Sequence, residues 1–195
     1  MFSQQKDTFF FLTETGYQNP NNKTNIHFGI GIEYFISKKS SFSLRAKYLK
    51  TSINTEGGST SNTGFSLNPY YKIIYQGDIV SLPLNYKWES HFILPNLNFF
   101  FNTGVAFNFQ IKEKFILTEN LTPNLNNNTY VNFNLGIGFS YKLNRKLHLL
   151  LSAETFFAGG AKTKESRGII FSKRFKPDSS IYNLGIRYQL GKRKL

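Results

Sequence analysis

The sequence contains no cysteine, which excludes disulfide bonds, thiolate metal sites and cysteine nucleophiles together. Alanine occurs five times and methionine once in 195 residues, so strong helix formers are scarce. No apolar run approaches the roughly 18 to 20 residues that a membrane-spanning helix needs. Charged residues make up only 18% of the chain. Together these shortages exclude a helical membrane protein and a coiled coil.

Aromatic residues and positive charge are what the sequence has in excess. The 21 Phe, 11 Tyr and single Trp amount to 17% of the chain, which excludes a disordered protein. Lys and Arg number 24 against 11 Asp and Glu, so the formal net charge is +13. A balance of this kind suits a polyanionic partner, either nucleic acid or an anionic membrane surface. The length favours one domain covering residues 1–195.

Apolar and polar residues alternate with a period of two along most of the chain. In one segment Val131, Phe133 and Leu135 share a face, while Asn132 and Asn134 occupy the other. A period of two is typical of β-strands with two different faces. Counted segment by segment, the pattern predicts eight strands, near residues 8–17, 24–36, 41–53, 71–88, 97–115, 128–143, 146–158 and 180–191.

The connections between these strands alternate in length. Short links at 37–40, 89–96 and 144–145 alternate with longer polar links at 18–23, 54–70, 116–127 and 159–179. All short turns then lie at one end and all long loops at the other. This arrangement indicates an eight-stranded antiparallel up-and-down transmembrane β-barrel.

A ten-stranded barrel is the alternative, because residues 65–75 also alternate and 167–175 could add another strand. The alternation changes phase across Gln76-Gly77-Asp78, as a β-bulge would cause. We therefore interpret the second half of 65–75 as an extension of the fourth strand.

The two faces of the strands differ in a way that favours a membrane barrel over a soluble β-barrel or sandwich. One face is large and apolar, and the other consists mainly of Gly, Ser and Asn with few charges, whereas a water-facing surface would carry more Lys and Glu. Aromatic residues near strand ends are expected to form girdles at the membrane interface. The expected interface aromatics are Tyr34, Tyr48, Trp88, Tyr141 and Tyr188.

A few charged residues fall on the small polar face and would point into the barrel lumen. Unpaired charge is costly there, so we expect Glu33 and Glu154 to pair with some of the cations and to plug the lumen. Solvated charge in a wet lumen is the alternative. The residues of this lumen charge network are Glu33, Arg45, Lys47, Lys87, Glu154 and Arg187.

Several strands resemble the PorT-type, OmpA-like outer-membrane β-barrel domain that is common in Bacteroidetes. The resemblance is carried by residues 79–88, by the next strand with Asn102-Thr103-Gly104-Val105, and by 130–141, 147–154 and 183–188. Ser81 stands where the family usually has an acidic residue. The resemblance implies an eight-stranded barrel in the bacterial outer membrane. It also implies that the signal peptide of the protein has been removed. The roles of the family are varied and often unknown.

Nothing in the sequence predicts catalysis or a cofactor. His27, His91 and His148 lack the spacing of metal ligands, and no Ser lies two residues from any of them. A Gly-x-Ser-x-Gly motif is also absent. We therefore expect neither an enzyme nor a bound metal or cofactor.

These observations favour a non-enzymatic structural or interaction protein, for example a subunit of a larger envelope or secretion assembly. The alternatives are a small pore or ligand-carrying barrel, and a soluble β-barrel binding module. Expected partners are outer-membrane lipids including lipopolysaccharide, and proteins that contact the long loops or periplasmic turns. Nucleic acid is not expected, because the aromatic residues form an apolar band and do not cluster with the basic residues.

Overall fold

The computed structural model describes residues 6–18, 25–57, 71–92, 94–117, 129–157 and 181–192, and it consists of eight strands. No helix within these ranges is long and apolar enough to cross a membrane. The strands are β1 (Thr8–Gln18), β2 (Asn25–Phe35), β3 (Ser40–Gly57), β4 (Tyr71–His91), β5 (Leu97–Leu117), β6 (Thr129–Lys142), β7 (Leu147–Phe157) and β8 (Ile181–Lys192).

The eight strands form a closed antiparallel barrel in chain order. Each strand pairs with the next, and β1 closes the barrel by pairing with β8, where Leu12 lies opposite Arg187. The predicted eight-stranded up-and-down barrel is confirmed. Residues 71–75 belong to β4, whereas 65–70 and 167–175, on which the ten-stranded alternative depends, lie outside the described residues.

The expected bulge in the fourth strand lies instead on β5, opposite Asp78 and Ile79 of β4. Asp78 pairs with Lys112 and Ile79 pairs with Gln110, so Ile111 is an extra residue on β5. An unpaired extra residue shifts the register by one and reverses the face that each later side chain occupies. The bulge thus interrupts the alternation of β5 at Ile111, whereas β4 contains no extra residue and keeps one register with β3.

All three short connections lie at one end of the barrel and are built by side chains suited to turns. Ser37 Oγ accepts hydrogen bonds from the backbone amides of Lys39 and Ser40 between β2 and β3. Asn144 Oδ1 does the same for two amides between β6 and β7. Asn96, between β4 and β5, adopts a left-handed φ of 65°, which Asn tolerates better than most residues.

The outer face of the barrel is apolar and exposed. Ile30 is 58% exposed and Ile137 54%, and the outward positions of every strand carry similar residues. The inward positions are buried and include many polar and charged side chains. This inverted distribution, with polar groups inside and apolar groups outside, is typical of a barrel surrounded by lipid.

Candidate functional site

In the described part of the barrel, eight charged side chains lie in the lumen, four acidic and four basic; seven are buried and Glu14 nearly so. They point inward because side chains two residues apart on a strand share a face. Arg45 and Lys47 therefore enter the lumen together from β3, as Lys87 and Glu89 do from β4. The eight charges divide into two groups at different depths along the barrel axis.

The first group, which we call the central ring, consists of Glu14, Arg45, Lys47 and Glu154. Arg45 Nη1 lies 2.6 Å from Glu154 Oε1 and 3.1 Å from Glu14 Oε2. Lys47 Nζ lies 2.6 Å from Glu154 Oε2 and 2.7 Å from Glu14 Oε1. Each carboxylate thus places one oxygen on each cation. The result is a closed four-membered ring with no net charge.

The second group, which we call the turn-side ring, lies nearer the short turns and consists of Glu33, Lys87, Glu89 and Arg187. Lys87 Nζ lies 2.5 Å from Glu33 Oε1 and 3.9 Å from Glu89 Oε2. Arg187 binds both oxygens of Glu89, at 2.9 and 3.2 Å, and reaches Glu33 Oε2 at 3.4 Å. This ring is also neutral, and the bidentate Arg187–Glu89 contact fixes the geometry of the ring.

Hydroxyl, imidazole and aromatic groups complete the surroundings of the turn-side ring. Ser41 donates to Glu33 at 2.5 Å. His148 Nδ1 lies 3.0 Å from Arg187 Nη2 and must accept, because a guanidinium only donates. The Arg187 guanidinium also lies 5.1 Å from the ring centres of both Phe10 and Phe35. Cation–π contacts of this kind replace part of the lost hydration.

Each ring crosses the full width of the lumen. In a closed barrel of eight strands, β3 lies opposite β7, and the central ring joins Arg45 and Lys47 to Glu154 across that distance. The turn-side ring joins β4 to β8 in the same way, through Glu89 and Arg187. A cavity of 30 Å³ bordered by members of both rings has room for about one water molecule.

An apolar layer lies in the lumen on the loop side of the central ring, together with buried polar residues such as His27 and Asn108. Its side chains come from six consecutive strands and form one buried cluster, which consists of Leu49, Ile79, Ala106, Tyr130, Phe156 and Ile181. The sequence predicts a lumen of small and polar residues, and this layer and the inward-facing Phe100 correct that expectation. Large inward side chains are accommodated because glycines occupy other inward positions. At Gly138, for example, an added Cβ would lie 2.5 Å from Phe100 Cζ.

The structure places all six residues of the sequence-derived charge network in these two rings, where Glu33 and Glu154 each contact two cations. Sequence reasoning missed Glu14 and Glu89. Glu14 lies on β1, whose alternation is the least regular, and Glu89 lies one residue past the predicted end of the fourth strand. Extending the alternation of Asn85 and Lys87 by one step would have found Glu89.

The expected interface aromatics lie on the outer face. Tyr48, Trp88, Tyr141 and Tyr188 are exposed there, and Tyr34 is half-buried and donates to Asp7 at 2.9 Å. All except Tyr48 lie near the short-turn end of their strands. Their contact with the membrane interface stays a prediction.

The histidines occupy structural positions in the part of the chain that the structure describes. His27 Nε2 lies 2.7 Å from Asn183 Oδ1, His148 contacts Arg187, and His91 is exposed. Among the described residues, no three His, Asp or Glu side chains are grouped so that they could hold a metal ion.

Comparison with known proteins relates the chain to outer-membrane barrels. Residues 2–158 match the family model of the outer membrane protein β-barrel domain. OprG from Pseudomonas aeruginosa is a similar structure, with 13% identity, a TM-score of 0.58 and coverage of 95% of this chain and 97% of OprG. Outer membrane protein W from E. coli has 10% identity and a TM-score of 0.55, with 95% and 100% covered. Neisserial surface protein A has 10% identity and a TM-score of 0.54, with 92% and 96% covered. None of the curated proteins compared matches the sequence.

Proposed function

Because the chain belongs to the outer membrane protein β-barrel domain family and lies in the bacterial outer membrane, we propose that it is a non-conducting barrel that anchors an interaction surface there. The observation that carries the proposal is the pair of neutral charge rings that cross the lumen. A pore that conducts ions needs a continuous wet path, and the described lumen is interrupted by both rings and by the apolar layer. The interaction surface consists of the long polar links at the other end of the barrel.

The proposal includes two finer statements. The first is membership of the PorT-type group, which is supported by residues 79–88 and by Asn102-Thr103-Gly104-Val105. The second is that the protein is not an enzyme and acts by contact, as a structural or interaction subunit of an envelope or secretion assembly. It is supported by His27 and His148, whose side chains contact Asn183 and Arg187 and not a serine hydroxyl.

Planar-bilayer recording of the purified full chain tests the blocked lumen. The wild-type protein should give no steady conductance, and neither should single variants, because the two rings and the apolar layer are barriers in series. Conductance should appear when one large side chain of each barrier is removed in the combined variant Arg45→Ala, Arg187→Ala and Phe156→Ala. Phe133→Ala, which removes an aromatic side chain from the lipid-facing surface, is the matched control.

Folding of every variant is checked by migration on SDS gels with and without boiling, since a folded barrel usually shifts. Large, steady conductance of the wild-type protein would refute the anchor and favour the small pore. If the combined variant still shows the gel shift but gives no conductance, these side chains are not the barriers.

A further inference from the structure

The lipid-facing wall of the barrel contains a groove across β6, β7 and β8. Its volume is 320 Å³, and the side chains that line it on the outer face include Leu135, Ile137, Ala153, Thr155 and Tyr182. Leu135 is half-buried at its floor, whereas its outward neighbours on the same strand, Phe133 and Ile137, are more than half exposed.

Two small residues on β7 create the groove. Ala153 pairs with Ile137 on one side and with Tyr182 on the other, so an alanine lies between two larger side chains. Thr155, the next outward residue, is also small, whereas Leu151 and Phe157 on either side are large. Side chains on the outer face stand roughly perpendicular to the sheet, so a succession of small ones leaves a depression.

The size and polarity of the groove fit a hydrocarbon chain. At roughly 30 Å³ for each water-sized group, 320 Å³ holds about ten such groups, and a methylene is of similar size. The lining is mainly apolar. The groove is also continuous with the surface that faces the bilayer, so its natural occupant is a lipid and not water.

The position of the groove indicates which lipid. Ala153, Thr155 and Tyr182 lie in the loop-side parts of β7 and β8. The sequence that joins these two strands carries six basic residues and two acidic ones, which favours an anionic headgroup nearby. The basic residues are Lys162, Lys164, Arg167, Lys173, Arg174 and Lys176, and the acidic ones are Glu165 and Asp178.

We propose that the groove is a binding site for one acyl chain of lipopolysaccharide in the outer leaflet. The headgroup phosphates of lipopolysaccharide complement the basic sequence between β7 and β8, and its acyl chain fills the depression over Ala153. The site depends on the outer-membrane location and on the orientation of the loops. It does not depend on the blocked lumen, so a conducting barrel would leave this proposal intact.

A single tryptophan in the groove can report on the lipid that occupies it. Trp88 is the only tryptophan, and Trp88→Phe gives a background without tryptophan. Ile137→Trp in this background places a reporter in the groove, and Ile30→Trp, near the middle of β2 and equally exposed, is the matched control outside it. Phe101→Trp, also in the groove lining, is the second reporter if Ile137→Trp does not fold.

The proteins are reconstituted in vesicles of phosphatidylcholine with brominated acyl chains, which quench tryptophan fluorescence on contact. Unbrominated lipopolysaccharide is then added. Fluorescence at Ile137→Trp should recover at a mole fraction about tenfold lower than at Ile30→Trp, which corresponds to a preference of about 1.4 kcal/mol. Adding Ala153→Phe, which fills the groove, should abolish the difference in lipopolysaccharide mole fraction between the two tryptophan positions.

Equal recovery at the two positions would overturn the proposal, since no site would distinguish the groove from the rest of the wall. Recovery in the groove that unbrominated phosphatidylcholine produces as effectively as lipopolysaccharide would overturn the choice of lipid. A groove tryptophan that brominated lipid never quenches would show that protein, such as a second copy of the chain, covers the groove.

Discussion

Replacing Glu154 with glutamine should strongly destabilise the barrel, because Glu154 is the acid that both cations of the central ring contact most closely. Its two oxygens lie 2.6 Å from Arg45 and 2.6 Å from Lys47, and Asn102 donates to it at 3.3 Å. Glutamine keeps the shape, but its amide nitrogen would face one of the two cationic donors. The ring would then hold two cations and only one anion, Glu14.

The magnitude follows from the burial of the ring. Removing one partner of a buried ion pair costs about 3–5 kcal/mol, since the charge left behind is not compensated. With a slope of about 2 kcal/mol per molar urea, the unfolding midpoint should fall by about 2 M. Trp88, the sole tryptophan and exposed on the lipid-facing surface, provides the fluorescence signal for unfolding from detergent micelles or vesicles.

A second substitution separates charge balance from loss of contacts. Lys47→Met removes the cation that faces the new amide and leaves Arg45 paired with Glu14, 3.1 Å away, so the double variant Glu154→Gln, Lys47→Met is neutral again. We expect the double variant to recover at least half of the stability that Glu154→Gln loses. Asp7→Asn, at the short-turn rim, is the control and should change stability by less than about 1 kcal/mol.

The reasoning would be refuted by a double variant whose loss equals the sum of the two single losses. Such additivity would mean that the two residues act independently and that neutrality of the ring is not what stabilises it. A Glu154→Gln protein as stable as the wild type would refute it as well, because it would show that water already solvates the ring.

Three further variants test other parts of the structure. Gly136→Ala should destabilise the barrel by about 1–3 kcal/mol in urea unfolding, because the added methyl group crowds Asn102 and Glu154. Normal stability would show that the lumen is loosely packed. Asn96→Val should destabilise the barrel by about 1–2 kcal/mol, because a left-handed φ is strained for a β-branched residue, whereas Asn96→Gly should be tolerated. Equal stability of the two variants would contradict the turn geometry. Arg187→Lys should lower the temperature of the boiling-dependent shift on SDS gels, because lysine cannot bind both oxygens of Glu89, and an unchanged temperature would count against the bidentate contact.

Much of the architecture follows from local patterns in the sequence. Alternation such as Val131, Phe133 and Leu135 against Asn132 and Asn134 sets the strands, and each observed strand begins or ends within a few residues of its expected limits. The bulge was expected near Asp78 in the fourth strand, but the extra residue, Ile111, lies on the paired strand β5, which the alternation of β4 alone does not reveal. Patterns with a period of two report local geometry, so they need no knowledge of distant contacts.

The composition of the lumen was predicted less completely. Inward positions with Gly, Ser and Asn led to the expectation of a small, polar interior, yet Phe100 and Phe156 are also buried there. A single strand shows which residues point inward but not what they meet. Whether a large side chain fits depends on the neighbouring strand, where a glycine such as Gly138 can leave the space for Phe100.

By itself the sequence determined the number and order of the strands and the separation of short turns from long links. It also determined the inward position of six charged residues. All of these features depend on periodicity and on chain connectivity. Only the tertiary structure decided that Glu14 and Glu89 complete two neutral rings, that an apolar layer lies beyond the central ring, and that a groove crosses β7. The groove depends on the strand register, which sets Ala153 between Ile137 and Tyr182. The rings depend on closure of the barrel, which brings β3 opposite β7 and β4 opposite β8. Charges separated by more than a hundred residues then meet across a narrow lumen, and no local pattern records that distance.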